Sequence, residues 1–317
     1  MEHFPYRGTW IACGTYAFLQ ASGLTENLLI EIENCAGATY GMKSCGREWD
    51  YTRILTPYKD FNSGIDEAAH LWGITIKHEI FETKDSFCSE CIDPEAKGIV
   101  IGPINMTGLN YLVFPQQYHM ADHFFSILRN VDGKYVLYDS EGIAGMNVET
   151  CQIQKWLNIG NIPEANNKIH VRILYGEGKP VDKKDRLNYE IQIARKNFLL
   201  AEQSNQGAKA FLLCKNVIEE DLPLIAKWRE SFMYNMNDVV QRRLMMLHLL
   251  ERAKQTKGFS VDGRLSDLIM RQIKSVGECI YALERVNYKK TVEGLDLLYD
   301  METELTHGWE DWIKWLA

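Results

Sequence analysis

The chain has 317 residues, 46% of them hydrophobic and 25% charged, a composition that supports a sizeable core and, at this length, predicts two domains. A net charge of −8 argues against a nucleic-acid partner, because phosphate binding needs a basic face. No apolar run approaches the roughly 20 residues that span a bilayer, and the start MEHFPYRGTWIACGTYAF lacks the cationic opening and small-residue cleavage site of a signal peptide. The expectation is a cytoplasmic protein with no membrane partner, whose eight cysteines are thiols rather than disulfides.

Residues 1–12 read as extended chain. A helix is predicted from Cys13 through CGTYAFLQASG to Gly23, and a second, short one over 24–34 with Thr25 as N-cap. Glycines and aromatics crowd residues 35–64, the composition of loops around a site. A helix over Ile65–Trp72 is stopped by Gly73, and the alternation of Ile74, Ile76, His78 and Ile80 is strand periodicity. GIVIG, Gly98 to Gly102, reads as a short buried strand before Pro103. HFFSILRNVDGKYVLYDSEG, His123 to Gly142, reads as two strands joined by a turn at Asp132-Gly133. KIHVRILY (168–175) is the last predicted strand, and GEGKPVDKKDR (176–186) reads as a linker. Helices are predicted at 187–203, 207–218, 222–235, 237–256, 261–287 and 289–316, with no strand among them. The resulting expectation is an α+β domain with an antiparallel sheet over 1–176 and an all-helical domain over 187–317.

Three residues carry the chemistry. His123 opens one strand of the hairpin, and Asp139 closes the other sixteen residues later. Such a hairpin holds an imidazole beside a carboxylate, which is what an activated nucleophile elsewhere in the chain requires. Cys13 is that candidate. At a helix N-terminus a thiol meets the positive end of the dipole, which favours thiolate, and the exposed N–H groups there suit an oxyanion. Taken singly, each residue has a plainer reading: a buried small hydrophobe for the cysteine, a surface or structural group for the histidine. Register supplies an internal test. A two-residue turn at Asp132-Gly133 pairs residues whose numbers sum to 265, which puts His123 and Asp139 on opposite faces. An odd loop or a bulge makes the sum even and puts both on one face. The triad therefore predicts an odd loop or a bulge.

The hairpin resembles that of papain-fold enzymes, in which a histidine begins a strand and Asn-Ser-Trp-Gly follows on its partner; here that position reads Asp139-Ser140-Glu141-Gly142. CGTYAF resembles the papain-fold nucleophile with the helix behind it. Over the first 145 or so residues the early cysteine, AGATYG (Ala36 to Gly41), GIVIGP and the His…Asp hairpin together resemble the papain-fold acyltransferases of antibiotic biosynthesis. That family is typified by the butirosin-pathway enzyme, and the amide ligase of closthioamide assembly is a further relative. One departure stands out: papain-type peptidases carry a glutamine oxyanion donor six residues before the cysteine, and Arg7 occupies that place here. This weakens a peptidase reading more than acyl transfer from a thioester.

The resemblance implies a papain-like catalytic domain, with the helical domain covering its cleft. An acyl group would pass from a carrier-protein thioester to Cys13 and then to a small amine acceptor, giving an amide. His123 would be the base and Asp139 its orienting group. Amide formation from a thioester is downhill, so no cofactor and no metal are expected. Trp10, Gly14, Tyr40 and His119 are the expected substrate-contacting residues. Thioesterase, cysteine peptidase and catalytically silent binding module remain the other readings. Cys88-x-x-Cys91 with Cys35 and Cys45 fits no standard zinc knuckle. The Trp309, Trp312 and Trp315 stripe reads as helix packing. The basic residues Arg242, Arg243, Lys183, Lys184 and Arg186 read as solvated surface that an acidic carrier protein would also suit.

Overall fold

The computed structural model of the chain describes residues 10–25, 28–37, 61–87, 93–112, 122–129, 134–140, 143–157, 168–176, 178–200, 207–256 and 258–315. It falls into two compact units, one of Met1–Ile32 with Ile65–Val181 and the other of Glu33–Gly64 with Asp182–Ala317. The architecture is α+β: a six-stranded antiparallel sheet in the first unit and a helical C-terminal region in the second.

The sheet comprises β1 (Ile74–Phe81), β2 (Gly98–Asn105), β3 (Asp122–Arg129), β4 (Tyr135–Asp139), β5 (Ile143–Val148) and β6 (Ile169–Gly176) in the order β1-β6-β2-β3-β4-β5. Every neighbouring pair is antiparallel. The apolar alternation of the strands explains the core on one face. Ile99 pairs with Ile127 and with Ile173, and together with Ile101, Phe125, Leu137 and Val171 they form a single buried cluster. Ile153 and Trp156 of α4 (Thr150–Trp156) complete it. Each such side chain contributes about 1.5–3 kcal/mol by leaving water. Helix α1 (Trp10–Ser22) lies against β2, where Gly98 permits the approach: a Cβ there would sit 2.8 Å from the carbonyl oxygen of Ala21.

Two register features bear on the site. Between β3 and β4 the partners run from Ser126↔Tyr138 to Arg129↔Tyr135, so five residues, 130–134, separate the last pair. The loop is odd and the partner numbers sum evenly, as the His123–Asp139 pairing requires; residues 130–133 of the turn itself lie outside the described residues. Strand β2 carries a bulge. Ile101 faces Phe125 but Ile104 faces His123, so Gly102 and Pro103 together oppose Phe124. The strand thus continues past the proline that was expected to end it, since the bulge takes up the missing N–H.

In the second unit α5 (Lys183–Leu200) begins inside the expected linker, where Asp182 accepts the Lys184 amide at 2.8 Å. It is followed by α6 (Ala208–Glu220), α7 (Leu222–Gln255), α8 (Gly263–Glu284) and α9 (Tyr288–Trp312). The break expected within α7 is absent: Phe232, Met236, Val239, Met246, Leu249 and Ala253 keep helical burial through its 34 residues. Two three-residue strands, β7 (Phe259–Val261) and β8 (Ile313–Trp315), pair antiparallel where no strand was expected, and segments so short carry no readable period. Short helices α2 (Leu29–Cys35) and α3 (Phe61–Ala68) each cross the division between the units. Among the described residues no helix is long and apolar enough to cross a membrane.

Candidate active site

Helix α1 opens at Trp10, three residues before the expected start, so Cys13 occupies the end of its first turn rather than its opening position. The four N–H groups that a helix leaves unpaired belong to its first residues, so an oxyanion donor is better sought just before Cys13 than at its own amide. The thiol is 7% exposed.

His123 is the second residue of β3 and Asp139 the last of β4, and both are almost fully enclosed, at 2% and 1% exposure. His123 Nε2 lies 2.9 Å from Oδ1 and 2.8 Å from Oδ2 of Asp139. An ionised carboxylate can only accept, so Nε2 carries the proton, which leaves Nδ1 as the nitrogen to serve the thiol. The Cys13 side chain is hydrogen-bonded to His123. Burial by itself would push the imidazole's pKa down. The charges of Asp139 and Cys13, with their hydrogen bonds, outweigh it and hold His123 well above its ordinary value. Both neighbours thus favour the protonated ring.

Tyr111 completes the row: its hydroxyl donates to Asp139 Oδ2 at 2.5 Å, and its ring meets Trp156 edge-on at 4.9 Å between centroids. Trp156 is itself held by Nε1–H donating to Asn110 Oδ1 at 2.7 Å. Tyr111 was not foreseen, because it sits among several aromatics in a turn-rich stretch and nothing in the sequence separates it from them.

Of the expected substrate-contacting residues, Gly14 is buried directly after Cys13 on α1, and Trp10 opens that helix. The side chain of Trp10, and Tyr40 and His119 entirely, lie outside the described residues, as do Arg7, Cys45, Cys88, Cys91 and the side chains of Trp309, Trp312 and Trp315. Two expected surface cations are corrected. Arg242 and Arg243 are interior, at 2% and 0% exposure, because α7 turns both into the bundle; Lys183 and Lys184 are exposed. Among the described residues no group of three or more His, Cys, Asp or Glu is placed to hold a metal ion. Cys13, Cys35, Cys151, Cys214 and Cys279 are thiols rather than disulfide halves.

The arrangement can do one thing that its parts cannot: it holds a base against a thiol, with the base's far side neutralised and its tautomer fixed. Comparison with protein-family models and with curated proteins finds no match.

Proposed function

We propose that the chain is a cysteine-dependent acyltransferase of papain-like fold, which forms an amide through an acyl-Cys13 intermediate. The observation that supports this most directly is the enclosed His123, engaged by Asp139 on Nε2 and hydrogen-bonded to Cys13. The resemblance of the His123–Gly142 hairpin and of CGTYAF to the acyltransferases of antibiotic assembly supplies the substrate class.

In this reading His123 holds the Cys13 proton as the sulfur attacks the carbonyl carbon of a carrier-protein thioester. The C–S bond to the carrier breaks, and the leaving phosphopantetheine thiolate takes a proton from His123. An amine then attacks the acyl-Cys13 carbonyl and gives its proton to His123 as the Cys13 thiolate departs. Asp139 keeps the imidazole oriented through both steps. The enclosure of His123 keeps bulk water from that nitrogen, which favours aminolysis over hydrolysis.

The test is intact-protein mass after mixing with an acyl-pantetheine thioester. A mass gain equal to the acyl group, absent from Cys13→Ala and discharged by added amines to amide faster than to free acid, is the expected result. Discharge mainly to acid makes the protein a thioesterase. No adduct from any thioester excludes the acyltransferase reading.

A further inference from the structure

Behind the histidine strand stands a buried guanidinium. Arg172 on β6 is 1% exposed; its Nη1 donates to the Gly102 carbonyl at 3.3 Å and its Nε to Asp66 Oδ1 at 3.3 Å. The other carboxylate oxygen of Asp66, which lies on α3, is 2.7 Å from His78 Nε2 on β1. Gly102 is no ordinary strand residue. It belongs to the β2 bulge that precedes the Ile104↔His123 pair and has φ +147°; a Cβ there would lie 2.6 Å from the His123 carbonyl oxygen.

A bulge interrupts the ladder, and Pro103 brings no N–H to restore it. A buried carbonyl turned out of register needs a donor, and losing that donor is more costly than the bond itself is stabilising. The backbone that it belongs to is in van der Waals contact with the residue whose ring must meet Cys13 and Asp139. A guanidinium suits the task because its planar fork serves two acceptors in a fixed geometry, which an ammonium does not.

We propose that Arg172 is a positioning residue: anchored by Asp66, it holds the Gly102 bulge in the conformation that sets His123 against Cys13. The proposal rests on the reading of Cys13 and His123 as the reacting pair.

The test uses the whole chain and needs no substrate. Alkylation of Cys13 by iodoacetamide is followed by peptide mass spectrometry between about pH 5 and pH 9, with the exposed Cys151 in the same samples as reference. Arg172→Met slows Cys13 about tenfold near pH 6 and moves its profile toward that of an ordinary thiol, a misplacement effect, while Cys151 is unchanged. Arg172→Lys recovers part of the rate. Asp66→Asn, at a side chain 24% exposed, keeps the fold and slows Cys13 about threefold by loosening the anchor. If Arg172→Met does not fold, Asp66→Asn decides alone. An Asp66→Asn profile identical to the native one overturns the proposal, and so does slowing that Cys151 shares. Native Cys13 reacting as an ordinary thiol sinks the Cys–His reading itself, and the proposal with it; the unmutated protein alone reveals that case.

Discussion

In the helical unit Arg243 is fully enclosed. Its Nε donates to Gln272 Oε1 at 2.8 Å and its Nη2 to Glu302 Oε2 at 2.7 Å, and Gln272 Nε2 donates to that same carboxylate oxygen at 2.7 Å. In the sheet unit His123 is buried almost as deeply, between a carboxylate and a thiol. Both are charged groups removed from water, and both meet the requirement that a buried charge be paired. They differ in what the pairing leaves over. The arginine cannot give up its proton, and the amide and carboxylate that it binds are no nucleophiles, so the network is suited to holding helices in register. The imidazole can change charge, and one of its partners is a nucleophile. Burial of charge thus marks a functional site only where a titrating group meets a reactive one.

Deletion separates the two groups most sharply. His123→Ala should lower acyl transfer, and with it Cys13 alkylation near neutral pH, by about 10²–10⁴-fold in the molecules that remain folded, and it should also cost stability because Asp139 is left enclosed without its partner. Asp139 separates orientation from charge. Asp139→Ala should follow His123→Ala, whereas Asp139→Asn, the residue type that papain-fold enzymes carry there, keeps an oxygen that can accept from Nε2–H and should lose less. The sign of the pH effect follows from the raised pKa of His123. The stability this gives is fully present below the unfolded value of about 6.5 and is lost as pH rises through the folded one. Removing the Asp139 charge lowers the folded value, so Asp139→Asn should narrow the active and stable range from its alkaline side. Urea melts and alkylation profiles across that range measure both.

Arg243→Met should cost stability and leave the reactivity of Cys13 alone. It leaves Glu302 buried without its cation and should cost about 3–5 kcal/mol in urea unfolding. The Cys13 alkylation profile should stay native wherever the protein remains folded. A change in that profile would show that the two buried groups are coupled and not merely different in kind.

A third buried group tests titration without a nucleophile. Asp238 on α7 has its pKa raised to about 8, first by burial and further by the nearby Glu33 carboxylate, against the opposing charge of Arg242. Its folded value lies above its unfolded one, so the folded state holds the extra proton and stability falls as pH climbs from about 4 to about 8. Asp238→Asn should remove that slope, about 1.4 kcal/mol per pH unit, or about 2 kcal/mol between pH 5.5 and pH 7. Equal slopes for mutant and native protein refute the assignment.

The sheet was legible where periodicity is local: Ile74 to Ile80 and KIHVRILY both became strands, and the odd hairpin loop followed from parity once His123 and Asp139 were placed on one face. The His123–Asp139 proximity was legible for the same reason, since two strands of one hairpin bring their contacts with them. Arg172, Gly102 and Tyr111 were not, because their meaning lies in partners brought from distant segments by strand order, which no pattern of spacing encodes. Arg242 and Arg243 misled because composition assigns arginine to the surface, and only the angular position on a 34-residue helix reveals otherwise. The missing break in α7 has the same root: Asn235 and Asn237 are weak helix formers, and the apolar face of the helix, buried through Met236, outweighs them.

Tyr111 offers the smallest effect and the finest discrimination. Its hydroxyl shares Asp139 Oδ2 with His123 Nε2, so one carboxylate oxygen accepts from both. Tyr111→Phe keeps the ring against Trp156 and deletes one bond to an ionised group, a change of about 1.5–3 kcal/mol in that bond. If the bond only fills a lone pair, stability falls and acyl transfer does not. If it restrains the carboxylate, and through it the imidazole, the rate should fall about tenfold with the apparent affinity for the thioester unchanged, since the bond acts on the reacting pair and not on the bound thioester. Steady-state rates for the native protein and Tyr111→Phe, measured with one acyl-pantetheine donor over a range of concentrations, separate the two outcomes.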